Sequence, residues 1–205
     1  MEQLGLKFKD IKILLTNQAH YDHVGAMAEV KRLTGAKLMV NEKDEAVLED
    51  GGKSDYALGG PESSYVPMKP DRLLYDGDII NLGGTAVKIL HHPGHTKGSS
   101  SFLLTTRDAK RAYKILIGNM PSIVTSSKFS EVSAYPEIEK DYAYTFNSMK
   151  ALSFDIWLAS HASQFKLHEK HQLKEAYRPE AFIDQKGYEA ALNQLESAYL
   201  KKVKQ

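Results

Sequence analysis

The chain has 205 residues, with 27 Lys and Arg against 26 Asp and Glu, a formal charge of +1, and no cysteine. At 42% hydrophobic and 26% charged residues it has the profile of a globular protein, long enough for one domain with a real core or at most two small ones. The charge balance argues against a dedicated nucleic-acid binder, and the missing thiols exclude disulfides and thiolate ligands, so a metal site here must use His, Asp, Glu or amide oxygen.

Taken in chain order, "MEQLGLKFKD" has no charged-then-apolar leader pattern. "IKILL", from Ile11 to Leu15, reads as a short buried strand, and "NQAHYDHVG" after it as a tight loop. "VGAMAEVKRLTG" reads as a helix, with Ala26, Val30 and Leu33 at helical spacing and Gly35 as its stop. "AKLMV" is a second strand and "EKDEAVLED" a short helix ended by Gly51 and Gly52. Loop-like sequence without a period follows, through "GGKSDYALGGPESSYVPMKP". "DIINL", "TAVKILH", "SSFLLTT" and "AYKILIG" are strands, with turns at "DG" and "GG". "PEIEKDYAYTFNSMKAL" reads as a helix with Pro136 near its first turn, and "FDIWLAS" as a late strand. From Gly187 onward, Tyr188, Leu192, Leu195 and Tyr199 share one face of an amphipathic helix, whose end explains the basic tail "KKVKQ". No run approaches the length of a membrane span, and no linker divides the chain, so the expectation is one mixed α/β domain over residues 1–205.

Chemistry concentrates in the histidines. His168 and His171 lie in the polar "KLHEKHQLK" and read as solvated. His20, Asp22 and His23 lie between a strand and a helix. Alternate residues of an extended loop point the same way, so Gln18, His20 and Asp22 can converge, while His23 turns toward a neighbouring point as the helix begins. One short loop can thereby serve two adjacent metals. His95, in the Pro/Gly turn "HHPGHTKGS", and His161, in "WLASHASQF", also stand at strand ends, which gather at one edge of a sheet. Spacing alone leaves open whether these residues meet.

The strings "QAHYDH", "GGKSDY", "HHPGHTKGS", "NMPS", "DYAYTF" and "SHASQF", in this order, resemble the metallo-β-lactamase superfamily. Within it they resemble subclass B3 enzymes of the GOB type, which carry glutamine at the first ligand position. The resemblance implies the family's αβ/βα sandwich and two zinc sites, one of Gln18, His20 and His95 and one of Asp22, His23 and His161. The second is expected to be tighter, because Asp22 brings negative charge and Gln18 offers only an amide oxygen. Zinc would lower the pKa of its water from about 15.7 to about 7, and the resulting hydroxide, oriented by Asp22 in a catalytic role, would attack the β-lactam carbonyl. Ser122 is a candidate for holding the substrate carboxylate, against the plainer reading of a solvated loop serine; no serine nucleophile is needed. Many relatives place a bridging Asp where this chain has Gly118, Asn119 and Met120, which disfavours a bridging-carboxylate thioesterase. In the family, several strands and a helix precede the ligand loop, so this reading expects a chain without the first strands of the sandwich. It further expects exposed apolar sheet surface that invites dimerisation or strand exchange. A metal-binding but catalytically silent protein, or a hydrolase of thioesters or lactones, are the competing readings. A periplasmic or secreted location is implied by the resemblance only.

Overall fold

The computed structural model describes residues 5–172 and 175–205, so the end of the "KLHEKHQLK" segment lies outside the described residues. It has two sheets. Strands β1 (Ile13–Leu15), β2 (Lys37–Asn41) and β3 (Arg72–Leu74) form a parallel sheet in that order. Strands β4 (Ile79–Leu82), β5 (Thr85–His91), β6 (Ser100–Arg107) and β7 (Ala112–Gly118) form antiparallel neighbours, and β8 (Ile156–Ala159) lies parallel to β7. Helices α1 (Tyr21–Val24), α2 (Met27–Thr34) and α3 (Glu45–Glu49) belong to the first half, and α4 (Ile138–Lys150), α5 (Leu167–Lys170) and α6 (Gln185–Val203) to the second.

The layers follow from side-chain alternation. In β2, Leu38 and Val40 pack with Val24, Val47 and Leu48 beneath the first helices, while Met39 between them turns to the other sheet and meets Leu74, Ile89 and Phe102. In β7, Leu116 joins the helix-side core of Tyr142, Phe146, Trp157 and Leu192, and Ile117 faces the sheet interface. Two faces per strand, each covered, give the helix–sheet–sheet–helix sandwich that the resemblance implied. Among the described residues no helix is long and apolar enough to cross a membrane.

Strand directions place the site. β5, β7 and β8 run the same way and end at one edge, where the turn after β5 carries His95, the loop after β7 carries Ser122, and the loop after β8 carries His161. β1 and β2 end in Gln18–His23 and Asp44. Asn17 joins the two edges: its carbonyl accepts from the Ser100 N–H and its Nδ2 donates to the Ser100 carbonyl, both at 2.8 Å.

The expected elements are present, with differences that include the short helix α5 in the segment read only as solvated. The chain becomes helical at Tyr21, so the helix read over residues 24–35 is two pieces, α1 and α2, the second closed by Gly35 at φ 68 as anticipated. This overturns one inference about the loop, because Asp22 sits on a helical turn and leaves the extended row of Gln18 and His20. β3 was not anticipated, since "RLL" is too short to alternate and takes its strand geometry from β2. The late strand is shorter than read, beginning at Ile156.

His92 is buried behind the site. Ser101 Oγ accepts the Asn119 N–H at 3.0 Å and is hydrogen-bonded to His92 Nδ1 at 2.7 Å, and His92 Nε2 is hydrogen-bonded to Ser148 Oγ at 3.3 Å. Burial pushes His92 down to about 4. A depressed imidazole contributes stability that is present above its ordinary pKa and is lost as the pH falls through the folded value. Metal-free protein should therefore lose on the order of 3 kcal/mol through this group between pH 6.5 and 4. Denaturant unfolding across that range should show the slope, and His92→Asn should flatten it while lowering stability at pH 7.

Candidate metal centre

The residues nominated from the sequence fall into two adjacent groups. In the first, Gln18, His20 and His95 are all buried, and the rings of His20 and His95 meet edge-on with centroids 5.0 Å apart. His20 Nε2 lies 3.2 Å from Asp55 Oδ2. Burial pushes the Asp55 carboxyl up, but the hydrogen bonds from His20 and from the N–H groups of Leu58 and Ala57 outweigh it and hold Asp55 below its ordinary value. Asp55 is thus a carboxylate, His20 donates through Nε2–H, and the lone pair lies on Nδ1. His95 donates Nδ1–H to the Ser122 carbonyl at 2.8 Å, which leaves the lone pair on Nε2. Burial lowers His95 to about 4, so it stays neutral well into acid. Hydrogen-bonded partners of this kind fix the tautomer of metal-ligating histidines.

In the second group, Asp22 Oδ2 stands 3.4 Å from His23 Nε2 and 3.5 Å from His161 Nε2. One ligand atom from each of the three lies within 4.8 Å of the others. The His23 and His161 rings are 5.0 Å apart at 80°. Burial lowers His23; Asp22 acts to raise it, while His161 and His20 lower it further, so the two groups feel each other. This group is more open, with the side chains of Asp22 and His161 55% and 46% exposed against 12% for His23.

The donor set suits a cation. Gln18 Oε1 and His23 Nε2 are buried without a hydrogen-bond partner among the described residues, one in each group. Buried polar atoms rarely stay unpaired in a folded protein, and a metal ion would satisfy both.

The turns carrying the histidines are held from beneath. Asp44, fully buried, accepts from the Ala19 N–H at 3.1 Å, Thr96 Oγ1 at 2.8 Å and the Gly98 N–H at 2.8 Å. Burial raises its pKa, against the hydrogen bonds from Thr96 and Gly98. A Cβ at Gly98 would lie 2.5 Å from Asp44 Cγ, so only glycine permits this approach. Tyr56 donates to the Gly94 carbonyl at 2.9 Å, Thr145 to the Pro93 carbonyl at 2.6 Å, and Tyr142 to the Ser122 carbonyl at 2.9 Å. Asp44, Asp55, Thr96 and Tyr142 were missed as site residues. Asp55 in "GGKSDY", Thr96 in "HHPGHTKGS" and Tyr142 in "DYAYTF" lie inside the matching strings and carried that signal, whereas Asp44 carried none.

The other residues separate cleanly. Ser99 and Ser100 are buried and hydrogen-bonded, His168 and His171 are exposed, Met120 belongs to the helix-side core, and Asn119 is buried. Ser122 is half-buried, with its Oγ 3.1 Å from His95 Nδ1 and its carbonyl engaged by both His95 and Tyr142.

The family model described as "Metallo-beta-lactamase superfamily" matches residues 2–108, more than half of the chain. The chain belongs to the metallo-β-lactamase superfamily. Among solved structures it is similar to the class B3 di-zinc metallo-β-lactamase LRA-12 from an Alaskan soil metagenome, at 59% identity and a TM-score of 0.97 over 98% of this chain and 76% of that one. The metallo-β-lactamase GOB-18 from Elizabethkingia meningoseptica matches at 54% identity and 0.97 over 99% and 75%. A β-lactamase from Chitinophaga pinensis matches at 57% and 0.98 over 100% and 77%. A curated relative, the hydroxyacylglutathione hydrolase GloC of Haemophilus influenzae, is 35% identical over 50% of this chain and 47% of its own. The chain thus spans about half the length of the curated relatives it matches.

Asp44→Ala should release both ligand turns together. The expected result is faster hydrogen exchange at the Ala19 and Gly98 amides and a stability loss of about 2–5 kcal/mol, because three donors lose a shared buried acceptor. Unchanged protection of either amide would mean that its turn is held by other contacts.

Proposed function

We propose that residues 1–205 form one metallo-β-lactamase domain that opens the β-lactam ring, with zinc held by Gln18, His20 and His95 and by Asp22, His23 and His161. The observation that carries this reading is the convergence of Asp22, His23 and His161 ligand atoms within 4.8 Å, beside the buried and tautomer-fixed pair His20 and His95. The substrate class is supported by the likeness, at 54–59% identity, to structures described as β-lactamases.

Zinc, when bound, supplies a Lewis acid and a coordinated water acidified to a pKa of about 7. The chain's own residues orient and exchange protons. Asp22 turns Oδ2 toward His23 and His161, so Oδ1 is the atom free to accept a proton from the attacking water. Hydrolysis adds that water across the amide C–N bond, and the departing ring nitrogen needs a proton, for which an exposed Asp22 in contact with solvent is a suitable relay. Ser122 Oγ, at the mouth beside His95, can donate to a substrate carboxylate while its carbonyl fixes the imidazole. A periplasmic or secreted location accompanies this reading. Among the described residues β1 is an edge strand, the place where self-association by strand pairing would occur.

Zinc titration should reveal one tighter equivalent, and Asp22→Ala should abolish it and lower turnover of a chromogenic cephalosporin by at least about 100-fold. Survival of the tight equivalent would mean that Asp22 is not its ligand. Zinc binding without turnover would identify a metal-binding protein that is catalytically silent, and thioester hydrolysis in its place would put the chain in another substrate class.

Gln18→His exchanges an amide oxygen for an imidazole nitrogen at a buried position, so zinc affinity in the first group should rise. Stoichiometry and rate should be measured together across zinc concentrations. Turnover that rises only at low zinc would show that both metals are needed, and turnover indifferent to first-group occupancy that the second suffices. An unchanged stoichiometry would mean that residue 18 does not face the metal.

A further inference from the structure

A second hollow lies away from the metal centre, between the loop after β8 and helix α6, with a volume of about 440 Å³. Its walls are largely apolar, formed by Met120, Trp157, Phe165 and Leu195, and its polar end holds Lys170 and Asp184. Lys170 Nζ is buried, 2.8 Å from Asp184 Oδ2 and 5.2 Å from the centroid of the Trp157 ring. That contact is an ion pair, and Lys170 is the first cause that holds the Asp184 carboxyl below its ordinary value; it engages one side of the ammonium, and among the described residues no other acceptor meets Nζ. Asp184 is committed elsewhere, since its Oδ1 accepts the Gly187 N–H at 2.8 Å and caps α6.

Two further features set the charge and mark the place. Lys166 also lines the hollow, with its exposed ammonium 3.7 Å from Glu169 Oε2, so the buried ammonium of Lys170 is the cation that a ligand in the slot would meet. Among the described residues Lys166 is also the one other than glycine that holds a left-handed backbone, at φ 56, a conformation that costs energy and persists where the surroundings enforce it. An apolar slot of this size, with a buried ammonium that keeps donors beyond its ion pair with Asp184, has the composition of a small-molecule site.

The geometry points to a binding site for a small amphipathic carboxylate, its apolar part against Trp157 and Phe165 and its carboxylate on Lys170. The site is separate from the hydrolytic reading, and its test does not depend on activity. It lies next to the metal centre in the chain, because Gln164, in the same loop, exchanges hydrogen bonds with the His161 backbone, donating to its carbonyl at 3.0 Å and accepting its N–H at 3.3 Å.

Trp157 is the one tryptophan in the sequence, so emission from the full chain reports on this hollow alone. Titration with sodium octanoate should change that emission saturably, and octanamide, of the same length without the charge, should bind at least about tenfold more weakly. The double substitution Lys170→Met with Asp184→Asn keeps an acceptor for the α6 cap and should bring octanoate down to the octanamide level. Ala191→Phe should fill the slot and block both. No saturable change with octanoate, equal binding of the two probes, or an undiminished octanoate response in the double variant would each overturn the proposal. The two probes on the unaltered chain decide the question even if a variant fails to fold.

Discussion

The candidate metal centre depends on one buried carboxylate. Asp44 stands at the end of β2 in the first sheet and receives the Ala19 N–H from that sheet's ligand loop. It also receives Thr96 Oγ1 and the Gly98 N–H from the turn after β5 in the second sheet. The apolar layer of Met39, Ile89 and Phe102 pulls the sheets together, but apolar contact is non-directional and does not fix the loops to within a fraction of an ångström. A carboxylate shared by donors from both sheets does. The desolvation cost is high, which is why the hydrogen bonds to Asp44 come as a complete set and why the chain carries glycine at 98 to allow the approach.

Above this anchor the two halves of the centre differ in kind. Gln18, His20 and His95 offer neutral donors from a buried position, and each histidine is fixed by a hydrogen bond at its other nitrogen. Asp22 and His161 face solvent, and only His23 of the second group is mostly buried. The buried half is therefore suited to holding a fixed geometry and the open half to exchanging water, protons and substrate. The distinction follows from the backbone. His20 holds an extended backbone just after the bend at Gln18, and at Tyr21 the chain turns helical and carries Asp22 outward.

The candidate ligands were legible in the sequence because the chemistry needs particular residue types at strand ends, and "QAHYDH", "PGHT" and "SHASQF" display them directly. The strands of the second sheet were legible as well, since "TAVKILH" and "AYKILIG" have length and β-branched content and matched their observed spans of Thr85–His91 and Ala112–Gly118. What escaped was set by distant partners. β3 exists because β2 offers it a parallel edge. Asp55 sits in a segment without a period and acquires its role only when folding brings it to His20, 35 positions away. Asp44 looked like one acid among several in "EKDEAVLED", and nothing local marks it as the one that becomes buried. The helical turn at Tyr21 was hidden because histidine and aspartate read as loop residues when their ligand chemistry is considered first.

Glutamine at position 18 is easier to understand with these second-layer groups in view. A cation among Gln18, His20 and His95 would meet no anionic ligand, and a buried charge without compensation is costly. Compensation is present one layer out. Asp55, kept ionised by His20 and two backbone N–H groups, sits directly behind the His20 imidazole, and Asp44 is within electrostatic reach of both. Proton donation from His20 to Asp55 makes the imidazole a stronger donor and passes carboxylate charge toward the cation without a carboxylate in contact with it. The first half of the centre can therefore keep a neutral amide at Gln18 while its charge is balanced through histidine, whereas the second half, with Asp22 as its proposed direct ligand, needs no such relay.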